Sequence, residues 1–139
     1  MKTFIFDLDH TVIDSSHRQI TLADGSLDLD NWIANCTQEK IMADKLLPLA
    51  QHWRRLQAAG NEIVVCTARV MGVWDHVFLA DHGLTADAIL SRPLGCVDAD
   101  ADLKENLLRE YAQKTGRSWS RFSRNAAMYD DNMGVLNRL

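Results

Sequence analysis

The chain has 139 residues, which suits one domain that buries roughly two thirds of its unfolded surface. Hydrophobic residues make up 47% and charged residues 24% of the sequence, a composition that is typical of a folded globular protein and excludes a disordered one. The formal net charge of -4 at pH 7 argues against strong nonspecific binding to a polyanion.

Neither a membrane segment nor a secretory leader is expected. No apolar run approaches the roughly 20 residues that span a bilayer. The N-terminal sequence reaches an acidic residue, Asp7, too early for a secretory signal peptide. The three cysteines show no Cys-x-x-Cys spacing, so neither zinc binding nor redox chemistry is indicated. We therefore expect a cytoplasmic protein.

Near the N-terminus, three consecutive apolar residues, Phe4, Ile5 and Phe6, are followed by Asp7 and Asp9. This run predicts a strand that is buried on both faces, as in a parallel sheet. Ligands of such sheets bind beyond the carboxyl ends of the strands, where both aspartates fall. Two carboxylates this close repel each other unless a cation lies between them, and Mg2+ prefers such oxygen ligands. Taken alone, the motif is equally well explained as an acidic strand end or a helix cap.

Residues 15–43 are mixed and polar, with a turn signal at 23–26, and predict a short flap or loop. Leu29, Trp32 and Ile33 are expected to pack this segment back on the core. The segment is too short for an independent cap domain.

The remainder of the chain alternates helices with strands, which predicts right-handed crossovers and an α/β fold with a mostly parallel sheet. We expect one domain over residues 1–139, with a loop at 91–102 and a basic connection at 117–124. The predicted elements are a helix capped by Asp44 and ending near Gly60, a strand at 62–66, a helix over 70–81, a strand at 88–90, a helix from Asp102 to Gly116, a strand at 125–129 and a short helix at 133–138.

Polar residues follow three of the predicted strands, and a lysine opens a helix aimed at the same edge. Each has an ordinary explanation alone: a threonine caps helices, a helical lysine is usually solvated, and paired aspartates often form turns. Together they supply a carboxylate nucleophile, an acid/base, metal ligands and donors for phosphoryl oxygens, as phosphate-ester chemistry requires. The residues are Asp7 and Asp9, Thr67, Lys104, and Asp130 with Asp131.

In this order, Asp7-Leu-Asp9-His-Thr11, Thr67, Lys104 and Asp130-Asp131 resemble the four motifs of the haloacid dehalogenase (HAD) superfamily. The resemblance implies a three-layer, Rossmann-like HAD fold with a mostly parallel sheet and no large cap domain. Within the superfamily, the sequence is most similar to the phosphatase domain of bacteriophage-type polynucleotide kinase-phosphatases. This likeness rests on the Asp28-Leu-Asp-Asn-Trp region, the Thr67-Ala-Arg69 turn, and Arg92 twelve residues before Lys104.

The resemblance also implies roles for individual residues. Asp7 would attack phosphorus and form an aspartyl-phosphate, and Asp9 would protonate the leaving oxygen and later activate water. Mg2+ would be held by Asp7, the backbone carbonyl of Asp9 and Asp130, with Asp131 positioning waters. Thr67 would hydrogen-bond the phosphoryl group, and Lys104 would neutralise Asp7 and the phosphate.

Two arginines that follow strand ends, Arg69 and Arg92, are expected to reach the crevice, where a guanidinium can bind a pair of phosphate oxygens. The alternative for each is a salt bridge to nearby acids.

Three features depart from the family pattern. His10 stands where glycine is common, and Cys96 and Asp98 stand where an acid and a base are usual. The chain also ends soon after Asp131, so the usual final strand is expected to be missing.

The sequence therefore predicts a Mg2+-dependent phosphomonoesterase that acts on a nucleic-acid terminal phosphate, of the 3'-phosphatase type, or on a nucleotide. A general small-molecule phosphatase, a phospho-accepting receiver domain and a noncatalytic partner of a separate kinase remain alternatives. A receiver domain is disfavoured because Asp9 supplies an acid/base that would shorten the lifetime of a phospho-aspartate. The oligomeric state is left open.

Overall fold

The computed structural model describes residues 2–136, apart from the side chain of Met133. The predicted helix at 133–138 is present as far as residue 136, and its last two residues lie outside the described part of the chain. In chain order the elements are β1 (Thr3–Phe6), β2 (Ile13–Asp14), a 3-10 turn (Ser16–Arg18), α1 (Leu29–Ala34), α2 (Gln38–Met42), β3 (Lys45–Leu46), α3 (Leu49–Ala58), β4 (Glu62–Thr67), α4 (Val73–Asp81), β5 (Ala88–Ser91), α5 (Asp100–Lys114), α6 (Trp119–Arg124), β6 (Ala126–Tyr129) and α7 (Met133–Leu136).

Four strands form a parallel sheet in the order β5-β4-β1-β6, which confirms the predicted α/β class. β1 lies between β4 and β6, and helices pack on both faces of the sheet. Ile5 and Phe6 are therefore fully buried. Side chains alternate between the two faces of the sheet. In β4, Ile63 and Val65 contribute to one hydrophobic core and Val64 to the other. A strand that is buried on both faces in this way has a continuous apolar sequence, as β1 and β4 do.

The two cores contain different helices. The larger core lies on the face that carries Phe6 and includes Trp53 of α3 and Phe78 of α4. The smaller core lies on the face that carries Ile5 and includes Leu108 of α5 and Phe122 of α6. Helices therefore cover both faces, and the carboxyl ends of the four strands are left at one edge.

The prediction that Asp44 caps a helix was wrong. Residues 45–46 form β3, which pairs antiparallel with β2, and the helix α3 begins only at Leu49. Asp44 is buried, and its carboxylate accepts hydrogen bonds from Nε and Nη2 of Arg18 at 2.9 and 2.8 Å. An aspartate before a proline-containing turn looks like a cap, and a partner 26 residues away leaves no local sequence pattern.

Residues 15–43, predicted as a short flap or loop, contain the 3-10 turn, α1 and α2. Leu29 and Ile33 were expected to pack on the core, but their side chains are 64% and 70% exposed. Ile41 of α2 is the buried apolar residue of this segment instead. The segment is thus partly helical and contacts the core through few apolar side chains.

The connection at 117–124 is also partly helical, since α6 occupies Trp119–Arg124 and the Ser118 hydroxyl accepts a hydrogen bond from the Arg121 backbone N–H. The helix α5 begins at Asp100, two residues before the predicted cap.

Within residues 2–136, none of the helices combines the length and the apolar character that crossing a bilayer requires.

Candidate active site

A tight turn follows β1 and orients its first carboxylate. The Asp7 N–H donates to the Tyr129 carbonyl at 3.0 Å, which extends the pairing of β1 with β6 by one residue. The chain then folds back, because the N–H groups of residues 11, 12 and 13 all donate to the Leu8 carbonyl. His10 has φ of 65°, in the left-handed region that favours glycine, which explains why glycine is common at this position. The turn places the Thr11 hydroxyl 3.3 Å from Oδ2 of Asp7.

Lys104 joins two of the predicted site carboxylates. Its Nζ lies 3.0 Å from Oδ1 of Asp7 and 2.6 Å from Oδ2 of Asp130, and the lysine is only 2% exposed. Burial raises the pKa of Asp7 to about 7 despite the opposing effect of Lys104, and the charges of Asp130 and Asp9 add to the rise. Burial alone would lower the pKa of Lys104, but the two carboxylates outweigh it and raise the pKa, so the ammonium is retained.

Three carboxylates at this edge fit a metal ion by their donor chemistry. One oxygen from each of Asp7, Asp130 and Asp131 lies within 4.8 Å of the others, and the burial decreases from Asp7 to the exposed Asp131. A set of hard carboxylate oxygens, partly open to water, is what Mg2+ prefers. The Asn132 backbone N–H fixes the second oxygen of Asp130 at 2.9 Å. The structure therefore brings together three of the predicted metal residues.

The fourth predicted metal residue, Asp9, was expected to bind through its backbone carbonyl, and its carboxylate contacts an arginine. Arg69 donates from Nη2 to Oδ1 at 2.5 Å and from Nε to Oδ2 at 3.1 Å, and the Ser15 hydroxyl donates to Oδ1 at 2.6 Å. Burial would raise the pKa of Asp9, but Arg69 and Ser15 together lower it. In this arrangement the Asp9 carboxylate is ionised and held by three donors.

The remaining predicted substrate residues have partners within the protein. Thr67 is buried at the end of β4, and its hydroxyl accepts a hydrogen bond from the Arg69 backbone N–H at 3.0 Å. Arg92 donates to the carbonyls of Ala68, Cys96 and Asp98, and to the Asp100 carboxylate at 2.9 Å. The contacts of Arg92 therefore hold the 93–99 loop against the end of β4. The guanidinium of Arg69 binds the carboxylates of Asp9 and Asp75.

Sequence reasoning missed two residues that contact the site. Ser15 binds Asp9, and Asp75 binds Arg69 through Oδ1 at 2.6 Å from Nη1. Asp75 lies in the first turn of α4, and its Oδ2 accepts from the Gly72 N–H at 2.8 Å. An acidic residue three positions after Gly72, the residue that caps α4, was a detectable signal for that contact. The contact of Asp75 with Arg69 had no such local signal.

The chain matches a known protein family. The sequence model of the bacteriophage T5 5'-deoxynucleotidase family matches residues 1–138. The 5'-deoxynucleotidase of Escherichia phage T5 is 38% identical over 87 residues, which cover 60% of this chain and 36% of the relative. The chain thus matches about a third of the length of that curated protein.

Solved structures with this fold include hydrolases of the HAD superfamily. A subfamily IA hydrolase from Geobacter sulfurreducens has a TM-score of 0.63 at 12% identity, with 99% of this chain and 82% of that chain covered. A chain of the Pnkp1/Rnl/Hen1 RNA repair complex has a TM-score of 0.65 at 18% identity, with 99% of this chain and 39% of that chain covered. The fold is therefore HAD-like, as predicted, with no large cap domain among the described residues.

Proposed function

Because the chain belongs to the bacteriophage T5 5'-deoxynucleotidase family, we propose that it is a Mg2+-dependent phosphomonoesterase that acts on nucleoside 5'-monophosphates through an aspartyl-phosphate. One observation carries the proposal: the buried contact of Lys104 with both Asp7 and Asp130 at the carboxyl edge of the sheet. A structural ion pair needs one carboxylate, whereas two carboxylates sharing one buried lysine, beside exposed Asp131, suit a site that also binds a cation.

In the proposed first step, a carboxylate oxygen of Asp7 attacks phosphorus, and the bond from phosphorus to the ester oxygen breaks. The leaving oxygen takes a proton from the protonated form of Asp9, in which the carboxyl group no longer pairs with Arg69, so the products are the free nucleoside, the aspartyl-phosphate and an ionised Asp9. Lys104 stays beside Asp7 and lowers the repulsion between that carboxylate and the incoming phosphate. The Thr67 hydroxyl, one strand away, is available to the phosphoryl oxygens.

In the second step, water attacks the phosphorus of the aspartyl-phosphate and releases inorganic phosphate. Asp9 accepts the proton of that water, and the Asp7 carboxylate is regenerated. Mg2+, held by Asp7, Asp130 and Asp131, would offset the negative charge of the carboxylates and the phosphate. Because Arg69 and Ser15 keep Asp9 ionised, the observed arrangement suits its role as the base of this step.

A mononucleotide is favoured over a nucleic-acid end by the partners of the two candidate arginines. Arg69 binds Asp9 and Asp75, and Arg92 binds three carbonyls and Asp100. Neither guanidinium is directed to a polynucleotide backbone, and the net charge is -4. Contacts to successive phosphates require cations that face solvent. The nucleic-acid terminal phosphate, of the 3'-phosphatase type, is therefore the second candidate.

We also propose a cytoplasmic localisation. Cys36, Cys66 and Cys96 are free thiols, which supports a reducing compartment such as the cytoplasm.

The test is phosphate release from a substrate panel with Mg2+ and with EDTA. The panel contains deoxynucleoside 5'-monophosphates, nucleoside 3'-monophosphates, oligonucleotides phosphorylated at either end, and p-nitrophenyl phosphate. We expect the 5'-monophosphates to be the best substrates. Preference for a phosphorylated oligonucleotide would favour the second candidate, and equal turnover in EDTA would refute the metal-dependent mechanism.

Two aspartate variants complete the test. Asp7→Asn replaces the nucleophile with an amide, and we expect a loss of about a thousandfold or more, since covalent catalysis then has no substitute. Asp24→Asn is the matched control, because Asp24 lies in an exposed turn where, within residues 2–136, its carboxylate accepts hydrogen bonds only from Ser26. Retention of more than about a tenth of the wild-type rate by Asp7→Asn would exclude Asp7 as the nucleophile.

A further inference from the structure

The indole ring of Trp32 covers two buried guanidinium groups beside the candidate active site. Cζ of Arg18 lies 4.2 Å from the ring centroid, and Cζ of Arg69 lies 5.4 Å from it. The side chains of both arginines are almost completely buried, whereas Trp32 is partly exposed. The ring therefore lies between the arginines and solvent, and the attraction of the cations to its π system helps to hold it there.

Trp32 belongs to an apolar side of α1 that does not pack on the core. Leu29, Trp32 and Ile33 are three or four residues from Leu29 along the helix or adjacent to one another, so they share one side of α1. Leu29 and Ile33 are 64% and 70% exposed. Adjacent exposed apolar side chains of this kind are typical of a surface that binds a ligand or a partner.

The exposed apolar surface is concentrated around the site. Among the described residues, the large apolar side chains that are exposed all lie within 20–33, 70–73 and 94–97. These three segments belong to the connections that follow β1, β4 and β5. Arg92 holds the third segment near the end of β4, because it donates to the Ala68 carbonyl at 2.8 Å. The exposed apolar residues are therefore confined to the connections that border the site.

Trp32 lies within the length of a mononucleotide of the proposed nucleophile. Arg69, which lies against the ring, binds Oδ1 of Asp9 through Nη2 at 2.5 Å. One arginine side chain thus separates the indole from the turn that carries Asp7 and Asp9. In a nucleoside 5'-monophosphate, one sugar separates the phosphate from the base. A phosphate at Asp7 therefore leaves the base within reach of Trp32.

We propose that Trp32, together with Leu29, forms the surface on which the base of a nucleoside 5'-monophosphate stacks. The proposal rests on the proposed function and deepens it, because it names the residues that distinguish a nucleotide from other phosphomonoesters. The base lies on the side of the ring that faces away from the two arginines. Every base has a π face that stacks on an aromatic side chain, so this surface selects nucleotides as a class.

A substrate without a base separates this role from a purely structural one. The tetrahydrofuran analogue of a deoxynucleoside 5'-monophosphate keeps the sugar ring, the phosphate and the alkoxide leaving group. It therefore requires the same chemistry at Asp7 and differs only in the contacts of the base. Loss of the stacking surface lowers kcat/KM for the deoxynucleotide alone. Displacement of Arg69, or loss of folded protein, lowers kcat/KM for both substrates.

The experiment measures both kcat/KM values for the wild type, Trp32→Leu, Trp32→Phe and Trp119→Leu, each with a thermal unfolding curve. Leucine keeps apolar cover over the arginines and removes the aromatic face, whereas phenylalanine retains an aromatic face. Trp119→Leu is the matched control, because Trp119 also lies against an arginine, with Cζ of Arg109 at 4.5 Å, but packs on the smaller core. We expect the ratio of deoxynucleotide to analogue activity to fall about tenfold in Trp32→Leu and to be largely kept in the other two variants.

Each outcome has a distinct meaning. If the wild type hydrolyses neither substrate, the proposed function fails. If the wild type hydrolyses both equally well, the phosphatase activity stands and the stacking surface is overturned. If Trp32→Leu lowers both values equally or changes neither, Trp32 only covers the arginines, and the proposal is again overturned. If Trp32→Leu does not fold, Leu29→Ala serves in its place, because Leu29 is exposed. A selective loss of deoxynucleotide activity in that variant supports the proposal, and an unchanged ratio overturns it.

Discussion

Lys104 provides the most direct test of the electrostatics of the site, through the variant Lys104→Met. Methionine has a similar length and lacks the charge, so the helix α5 and the local packing are retained while the cation is removed. In the variant, Asp7 and Asp130 face each other without the ammonium that now lies 3.0 and 2.6 Å from them. We expect activity to be lost and stability at neutral pH to fall.

The distances set the scale of both effects. With an effective dielectric constant of about 20, a unit charge at such distances interacts by about 5 to 6 kcal/mol with each carboxylate, before desolvation is subtracted. Breaking a buried ion pair by removing one partner costs about 3 to 5 kcal/mol, and protonation of Asp7, whose pKa is already about 7, limits that cost. The transition state loses a positioned cation, which is worth about a hundredfold to a thousandfold in rate.

The assay compares kcat/KM for a deoxynucleoside 5'-monophosphate and urea unfolding for the wild type and two variants. Lys114→Met is the control, because Lys114 lies on the same helix but pairs with Glu110 on an exposed face. We expect the control to lose little of either quantity, since exposed ion pairs contribute about 0 to 1 kcal/mol. Retention of more than about a tenth of the wild-type activity by Lys104→Met would refute the proposed role of the ammonium.

Further predictions concern the metal site, the ion pair of Glu62 with Arg117, and the 93–99 loop. EDTA should abolish phosphate release, Mg2+ should restore it and Ca2+ should inhibit it, because Ca2+ coordinates more loosely; a titration of each ion checks this. Asp130→Asn should raise the Mg2+ concentration for half-maximal activity, and an unchanged titration curve would exclude Asp130 as a ligand. Arg117, Thr3 and Tyr111 lower the pKa of Glu62 to about 2 from an ordinary 4.5, so this stabilisation is complete above pH 4.5 and is lost as the pH falls toward 2. Glu62→Gln should therefore lower the unfolding free energy at neutral pH by no more than about 3 kcal/mol, and urea unfolding should show the difference from wild type disappearing in acid. Arg92→Ala should speed amide exchange in the 93–99 loop and leave the preference between oligonucleotide and mononucleotide unchanged, whereas a selective rise in KM for the oligonucleotide would return Arg92 to substrate binding.

The sheet and the positions of its carboxylates were predictable because they follow from short-range patterns. The apolar runs at Phe4–Phe6 and 62–66 have the composition of strands buried on both faces, and parallel strands place their carboxyl ends at one edge. Asp7, Asp130 and Asp131 are close together for that reason alone. The contact between Asp7 and Lys104 was predictable for a similar reason, because α5, which carries Lys104, begins near the same edge of the sheet.

The directions of the arginine side chains were not predictable. A guanidinium after a strand end can face the crevice or turn inward, and both satisfy the local pattern. Arg69 turns inward because Asp75 and Asp9 stand on two different elements that only the fold brings together. Asp44 was misread for the same reason, because its partner Arg18 is distant in sequence. Short elements such as β3 and α6 were missed because a few residues carry too little periodicity.

The ion pair of Arg18 with Asp44 has a consequence for how the molecule opens. Both side chains are fully buried, although most residues from 20 to 40 around them are exposed and Ile41 is the buried apolar residue of the helices α1 and α2. Unfolding of this segment alone would uncover little hydrocarbon, but it would remove the Trp32 ring that lies 4.2 Å from the Arg18 guanidinium. Its cost therefore depends largely on exposing this flanking ion pair to water. We therefore expect residues 20–40 to exchange their amide hydrogens as one unit, well before β1 and β4, and at a rate that depends on this pair.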